Sequence, residues 1–149
     1  MLIGKAALRA SSGLPAGQVK LYRFGDRLRI SVAAIALPPG EHGLHLHTTG
    51  KCGAPGFSDA GSHFNPAGHQ HGSANPAGPH LGDMPNLVAD ASGAGMVTLE
   101  LDGTAADLEA QLFDGDGTAI VVHANADDYR TDPSGNSGAR IACGVLRRP

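Results

Sequence analysis

Six of the eight histidines of this 149-residue chain fall between Leu44 and Asp83, in LHLHTTGKCGAPGFSDAGSHFNPAGHQHGSANPAGPHLGD. Imidazole is the commonest protein ligand for a metal ion, and independent surface histidines do not cluster this way. His45 and His47 stand two apart, so on a strand both rings leave the same face and reach one metal. His63, His69, His71 and His80 follow, Asp83 closes the stretch, and His123 ends the apolar run Ile120-Val121-Val122.

These residues sort into two candidate donor sets. His45, His47, His63 and His123 are four imidazoles without a thiolate, which suits copper or zinc; a tetragonal four-nitrogen set with an open position favours Cu(II). His71, His80 and Asp83 suit zinc, and a fourth ligand would close that site into a structural one. His63 lies between the two sets in sequence and can serve both. Spacing alone does not choose between His69 and His71, and Asp83 reads equally well as a turn residue. His42, in the Pro-Pro-Gly-Glu-His-Gly turn, reads as a hydrogen-bonded or surface histidine with no assigned role.

The elements that must position these groups read as strands. Residues 2–9 and 17–24 are short, partly alternating runs around the turn-rich SSGLPAG. Residues 27–37 give the clearest period of two, with Arg27, Arg29, Ser31 and Ala33 against Leu28, Ile30, Val32 and Ala34. Pro38-Pro39-Gly40 stops that run, and further strands are expected at Leu44–His47, Asn86–Ala89, Met96–Leu101, Thr118–His123 and Arg140–Leu146. Residues 104–112 carry a weak helical signal. The Gly-, Pro-, Ser- and Asn-rich segment after His47 is long for a loop without structure of its own, an objection that a metal clipping it together removes. A second polar loop runs over Ala124–Gly138.

Length and composition agree with this outline. The chain is long enough for one domain, 1–149, with one core. With 22 Gly, 10 Pro, no Trp and 4% aromatics, it reads as all-β, an antiparallel sandwich or barrel of about eight short strands in Greek-key order. The formal charge of −3 excludes a strongly basic nucleic-acid footprint. No apolar run reaches membrane-spanning length. MLIGKAALRASSG lacks the apolar core and cleavage site of a signal peptide, so the expectation is cytosolic synthesis or a trimmed targeting segment. Cys52 and Cys143 are too far apart for a CxxC motif. They read either as two buried thiols or as a bridge closing most of the chain, which an oxidising compartment would favour.

GLHLH (43–47), GSHFNP (61–66), HG (71–72), HLGD (80–83), VVH (121–123) and GNSGARIACG (135–144) resemble the copper/zinc superoxide dismutases. The resemblance implies copper on His45, His47, His63 and His123, and zinc on His63, His71, His80 and Asp83. His63 then bridges both metals, and His71 is chosen over His69. Asp127 resembles the carboxylate behind ligand histidines of both sites, Arg140 the arginine beside the open copper position, and Cys52–Cys143 the family's disulfide. The implied fold is an eight-stranded Greek-key barrel, and the implied substrate is superoxide.

The short spacer between His47 and Cys52, the short loop before Arg140, and the PAG and NADDY segments resemble the bacterial branch. That branch is usually exported, so a periplasmic location is implied, with a cytoplasmic one as the alternative; a homodimer is left open. Lys51 and Arg130 are candidates for local positive charge that would steer the anion. Two rival functions remain on the sequence. One is a non-enzymatic copper-binding or transfer protein on the same scaffold, which an incomplete ligand set or a missing Arg140 would favour. The other is a zinc hydrolase, for which four histidines around one metal leave little room.

Overall fold

The computed structural model describes residues 1–149. Nine strands appear in chain order: β1 (Leu2–Ala10), β2 (Pro15–Phe24), β3 (Arg27–Ala34), β4 (Gly40–His42), β5 (Leu44–His47), β6 (Leu87–Ala89), β7 (Gly95–Glu100), β8 (Ala119–His123) and β9 (Arg140–Val145). Seven form one curled antiparallel sheet in the order β5-β8-β9-β1-β2-β3-β7, and β4 pairs with β6. The eight expected strands are all present, on the expected Greek-key type of fold. The ninth, β4, lies where the sequence reads as a turn, because three residues carry no periodicity of their own. β3 ends at Ala34 rather than residue 37: Ala36 takes φ of 56°, and Leu37 donates instead to Gly93 O.

Helix α1 spans Ala105–Leu112. Thr104 caps it by accepting from the Asp107 N–H, Asp107 sits in the first turn, and Ala105, Leu108 and Leu112 are its buried residues. Those positions give it an apolar stripe, too short to stand out in the sequence but sufficient once the sheet is there to receive it.

Strand alternation decides where the chemistry sits. On β5, Leu44 and Leu46 enter the main core of 26 buried residues, as do Ile120 and Val122 on β8. The intervening residues face the other way. His45 pairs with Val121 and His47 with Ala119, so His45, His47, Ala119, Val121 and His123 share the opposite face. Phe57, Ala60 and Cys143 pack against Ala119 and Val121 there as a second, smaller cluster.

The segment after His47 folds back over that face. Thr48 N–H donates to Ser62 O, Phe64 N–H to Leu46 O, and Leu46 N–H to Gly82 O, so the loop covers the free edge of β5. The Cys52–Cys143 disulfide ties the start of this segment to β9, with 5.7 Å between the Cα atoms. The longest loop of the chain is therefore held by backbone hydrogen bonds and one covalent bond.

Candidate metal centre

Four buried nitrogens find no hydrogen-bond partner: His45 Nδ1, His47 Nε2, His63 Nε2 and His123 Nε2. A buried polar atom without a partner is costly, and four in one place require an explanation. The four rings bring donor atoms within 4.8 Å of one another. In three of them the opposite nitrogen is engaged. His45 Nε2 donates to Asp127 Oδ2 at 2.7 Å, His47 Nδ1 to Gly61 O at 2.9 Å and His123 Nδ1 to Gly138 O at 3.1 Å. Each of these bonds fixes the tautomer and leaves an unprotonated nitrogen aimed at the common point. Burial pushes the pKa of His47 down to about 2 and that of His123 down to about 3, so both rings are neutral ligands at physiological pH.

His63 is different, because its Nδ1 belongs to a second cluster. It lies 3.3 Å from His71 Nδ1, 3.2 Å from His80 Nδ1 and 3.0 Å from Asp83 Oδ1. Asp83 Oδ1 is in turn 3.1 Å from His71 Nδ1 and 3.2 Å from His80 Nδ1. One hydrogen cannot serve so many nitrogens, so these contacts are not a set of ordinary hydrogen bonds. They are five of the six edges of a tetrahedron. A regular tetrahedron with edges of about 3.3 Å has its centre about 2.0 Å from each vertex, the length of a zinc–nitrogen bond. His45 also lies within 4.8 Å of His63, His71 and Asp83, but its Nε2 is committed to Asp127; His80 completes this set. His71 is the member of the HQH pair brought in, while His69 is exposed, with its Nδ1 against Pro79 O.

One carboxylate stands behind both clusters. Asp127 accepts from His45 Nε2 through Oδ2 and from His71 Nε2 through Oδ1, at 2.7 and 2.8 Å. Asn86 fixes Asp127 in place: its Nδ2 donates to Asp127 O, and its Oδ1 accepts from the Asp127 N–H. Burial works against the charged form of His71, yet hydrogen bonds to Asp127 and Asp83 carry its pKa up to about 9. Burial likewise opposes ionisation of Asp83 and Asp127, and their histidine partners still hold both well below the usual carboxylate range.

The first cluster opens into a cleft lined by His63, His123, Thr48, Ser62, Arg140 and Asp116, among others. Arg140 is the only lysine or arginine in that lining. Its guanidinium donates to Phe57 O at 2.9 Å and Gly61 O at 2.7 Å. Lys51 and Arg130 are exposed and do not line the cleft, whereas Asp114 and Asp116 do.

Sequence reasoning missed the carbonyls that do this positioning, because backbone acceptors leave no mark in residue type. It also left His42 without a role. That ring is buried, with Nδ1 2.8 Å from His123 O and Nε2 2.6 Å from Pro38 O, so it braces the backbone of His123. Gly135 is a further omission. Its φ is +68°, and a Cβ there would collide with Asp127 Oδ1 and lie 2.7 Å from His71 Nε2.

A curled antiparallel sheet carrying two adjoining donor sets, one closed and one opening beside a fixed arginine, defines a dinuclear metalloprotein. The sequence model of copper/zinc superoxide dismutase matches residues 15–146, and the chain belongs to that family. It is 42% identical over 147 residues to Cu-Zn superoxide dismutase 2 of Aquifex aeolicus, covering 95% of this chain and 85% of that one. It is 39% identical over 148 residues to the Cu-Zn superoxide dismutase of Caulobacter vibrioides, covering 95% and 84%. The crystal structure of a SOD-like protein from Bacillus subtilis superposes with a TM-score of 0.90 at 37% identity, covering 99% and 100% of the two chains.

Proposed function

We propose that His45, His47, His63 and His123 hold copper, that His63, His71, His80 and Asp83 hold zinc, and that Arg140 and His63 serve the dismutation of superoxide. The observation that carries this assignment is the convergence of four unpartnered nitrogens beside a cleft whose one cation is Arg140. Copper held there would supply alternating one-electron oxidation and reduction, the chemistry that turning two superoxides and two protons into dioxygen and hydrogen peroxide requires.

The side chains do the rest. Arg140 spends one N–H on Phe57 O and one on Gly61 O, which fixes the guanidinium plane and leaves its other donors for a small anion. His63 is the one ring of the first cluster whose second nitrogen has no backbone or Asp127 anchor. Its Nε2, whenever it is released from a metal, would be free to take up a proton and give it to an anion held by Arg140. The closed set around Asp83 suits a structural role, and Asp127 couples the orientation of both sets. The acidic residues at the cleft make Arg140 the source of any local attraction for superoxide.

An exported, oxidising location, such as the bacterial periplasm, is part of this reading. The Cys52–Cys143 bond supports it, because structural disulfides persist in such compartments. Cell fractionation that found the chain in the cytosol with both thiols reduced would remove this placement.

The deciding experiment reconstitutes metal-free protein with zinc alone, copper alone and both, beside an Arg140→Ala variant. Fast dismutation that requires copper and falls in the variant supports the assignment. One equivalent of copper bound with negligible turnover identifies a copper-handling protein instead, and hydrolysis with zinc alone identifies the hydrolase.

A further inference from the structure

Charge in this chain is segregated. Residues 1–34 and 147–149 hold eight of the 11 lysines and arginines and a single acid, Asp26. The other 13 acids share residues 35–146 with Lys51, Arg130 and Arg140.

The fold gathers much of the basic group onto one face. Lys5 on β1 stands opposite Lys20 on β2 and, on its other side, opposite Arg147. Three cations thus form a row across adjacent strands, about 5 Å from one to the next. Arg9 shares the exposed face of β1 with Lys5. Arg29 on β3 stands opposite Tyr22, with its guanidinium 5.0 Å from the centre of the Phe24 ring. The ion pairs of this region are made by Arg23, Arg27 and Arg148, and none includes Lys5, Arg9, Lys20, Arg29 or Arg147. Like charges directly opposite one another destabilise a sheet, and no ion pair offsets the row of Lys5, Lys20 and Arg147; the one acid beside the group, Glu100 on β7, stands opposite Arg29 and is ion-paired with Arg27.

We propose that this face docks on the anionic headgroup plane of a phospholipid membrane. The five cations spread over three strands and the C-terminal segment, which calls for a broad, planar array of negative charge. Apolar side chains flank them: Phe24, 52% exposed, follows at the end of β2, and Leu14, 67% exposed, lies in the turn between β1 and β2. Cations with apolar groups at their margin are the composition of an interfacial surface. An acidic peptide would instead be held in the groove that includes Lys5, Arg9 and Arg147, leaving Lys20, Arg29 and Phe24 unused. None of the five cations lines the cleft at Arg140, and the acidic remainder of the molecule is repelled by the same membrane. Docking therefore leaves the cleft open.

The test is co-sedimentation of the metal-loaded full chain with vesicles of phosphatidylglycerol and phosphatidylcholine, against phosphatidylcholine alone. Binding to the anionic vesicles, release at about 0.5 M salt and no binding to neutral vesicles are expected. A Lys5→Gln/Lys20→Gln variant, its dismutase activity confirming that it is folded, should partition about thirtyfold less, while a Lys51→Gln/Arg130→Gln control stays unchanged. Equal affinity for both vesicle types, or an equal loss in the control, overturns the proposal. Binding to polyglutamate with none to vesicles overturns it in favour of an acidic polypeptide.

Discussion

His47 and Arg140 donate to the same carbonyl oxygen, that of Gly61, at 2.9 and 2.7 Å. A ring nitrogen that must face inward and a guanidinium that must face the cleft are thereby set from one point on the loop. Phe57 O gives the arginine its second anchor, and the disulfide ties the start of the same loop to β9.

Arg140→Ala should leave copper and zinc content unchanged and lower the dismutation rate by about ten- to a hundredfold, the scale of one hydrogen bond to a charged group. Arg140→Lys keeps the charge but cannot span two carbonyls and an anion with one planar fork, so it should recover only part of the rate. Pulse radiolysis with metal analysis checks both. A full rate in Arg140→Ala removes the residue from the mechanism.

Asp127→Asn keeps the shape but gives up charge at the point where His45 and His71 are both held. Losing such a partner weakens metal affinity by about ten- to a hundredfold, and here both sites should be affected together. Competition titration with a chelator measures each metal separately. Loss at one site alone would contradict a shared carboxylate.

Gly135→Ala should mimic the loss of Asp127 without touching a ligand. The new methyl collides with Asp127 Oδ1 and is strained at a φ of +68°, so the carboxylate must move or the loop must open. Reduced affinity for both metals, with the sheet's circular dichroism unchanged, is expected. Normal metal affinity would show that the loop accommodates the methyl.

The metal-free protein should be most stable near pH 6.5 and lose stability on either side of it. Burial lowers His47, His123 and His63 to about 2, 3 and 4 from an ordinary 6.5. As pH drops below 6.5 the unfolded chain takes up protons that these folded rings refuse, so stability falls. His71 works in the opposite sense. Its pKa is raised to about 9, so its contribution is complete below 6.5 and is lost as pH rises through 9. Urea unfolding of the metal-free chain at pH 4.5, 7.5 and 9.5 should give the highest midpoint at 7.5, and equal midpoints at 4.5 and 7.5 would refute the account.

Much of the sheet is legible in the sequence because β3 and the histidine pair of β5 obey a period of two, and that period fixes which side chains share a face. The donor residues are legible as residue types at characteristic spacings. The choice of His71 over His69 is legible only through the family resemblance, since both stand in one HQH tripeptide and spacing alone does not separate them. β4 and the bracing role of His42 were also hidden, as a three-residue strand is defined by its partner β6 rather than by its own pattern. The charged face of β1 and β2 is hidden in the sequence for a similar reason: Lys5, Lys20 and Arg147 are far apart along the chain and meet only through strand pairing.

None of the seven residues proposed as ligands belongs to the main core, which is built from aliphatic residues, Phe64 and Met84. The sheet can therefore be completed before any metal arrives, and the ions become finishing parts rather than folding nuclei. A chain built this way can travel empty and wait in storage. On the proposed assignment, assembly of the sheet and loading of the metals are separable events, the first set by the aliphatic core and the second by the ions the chain meets afterwards.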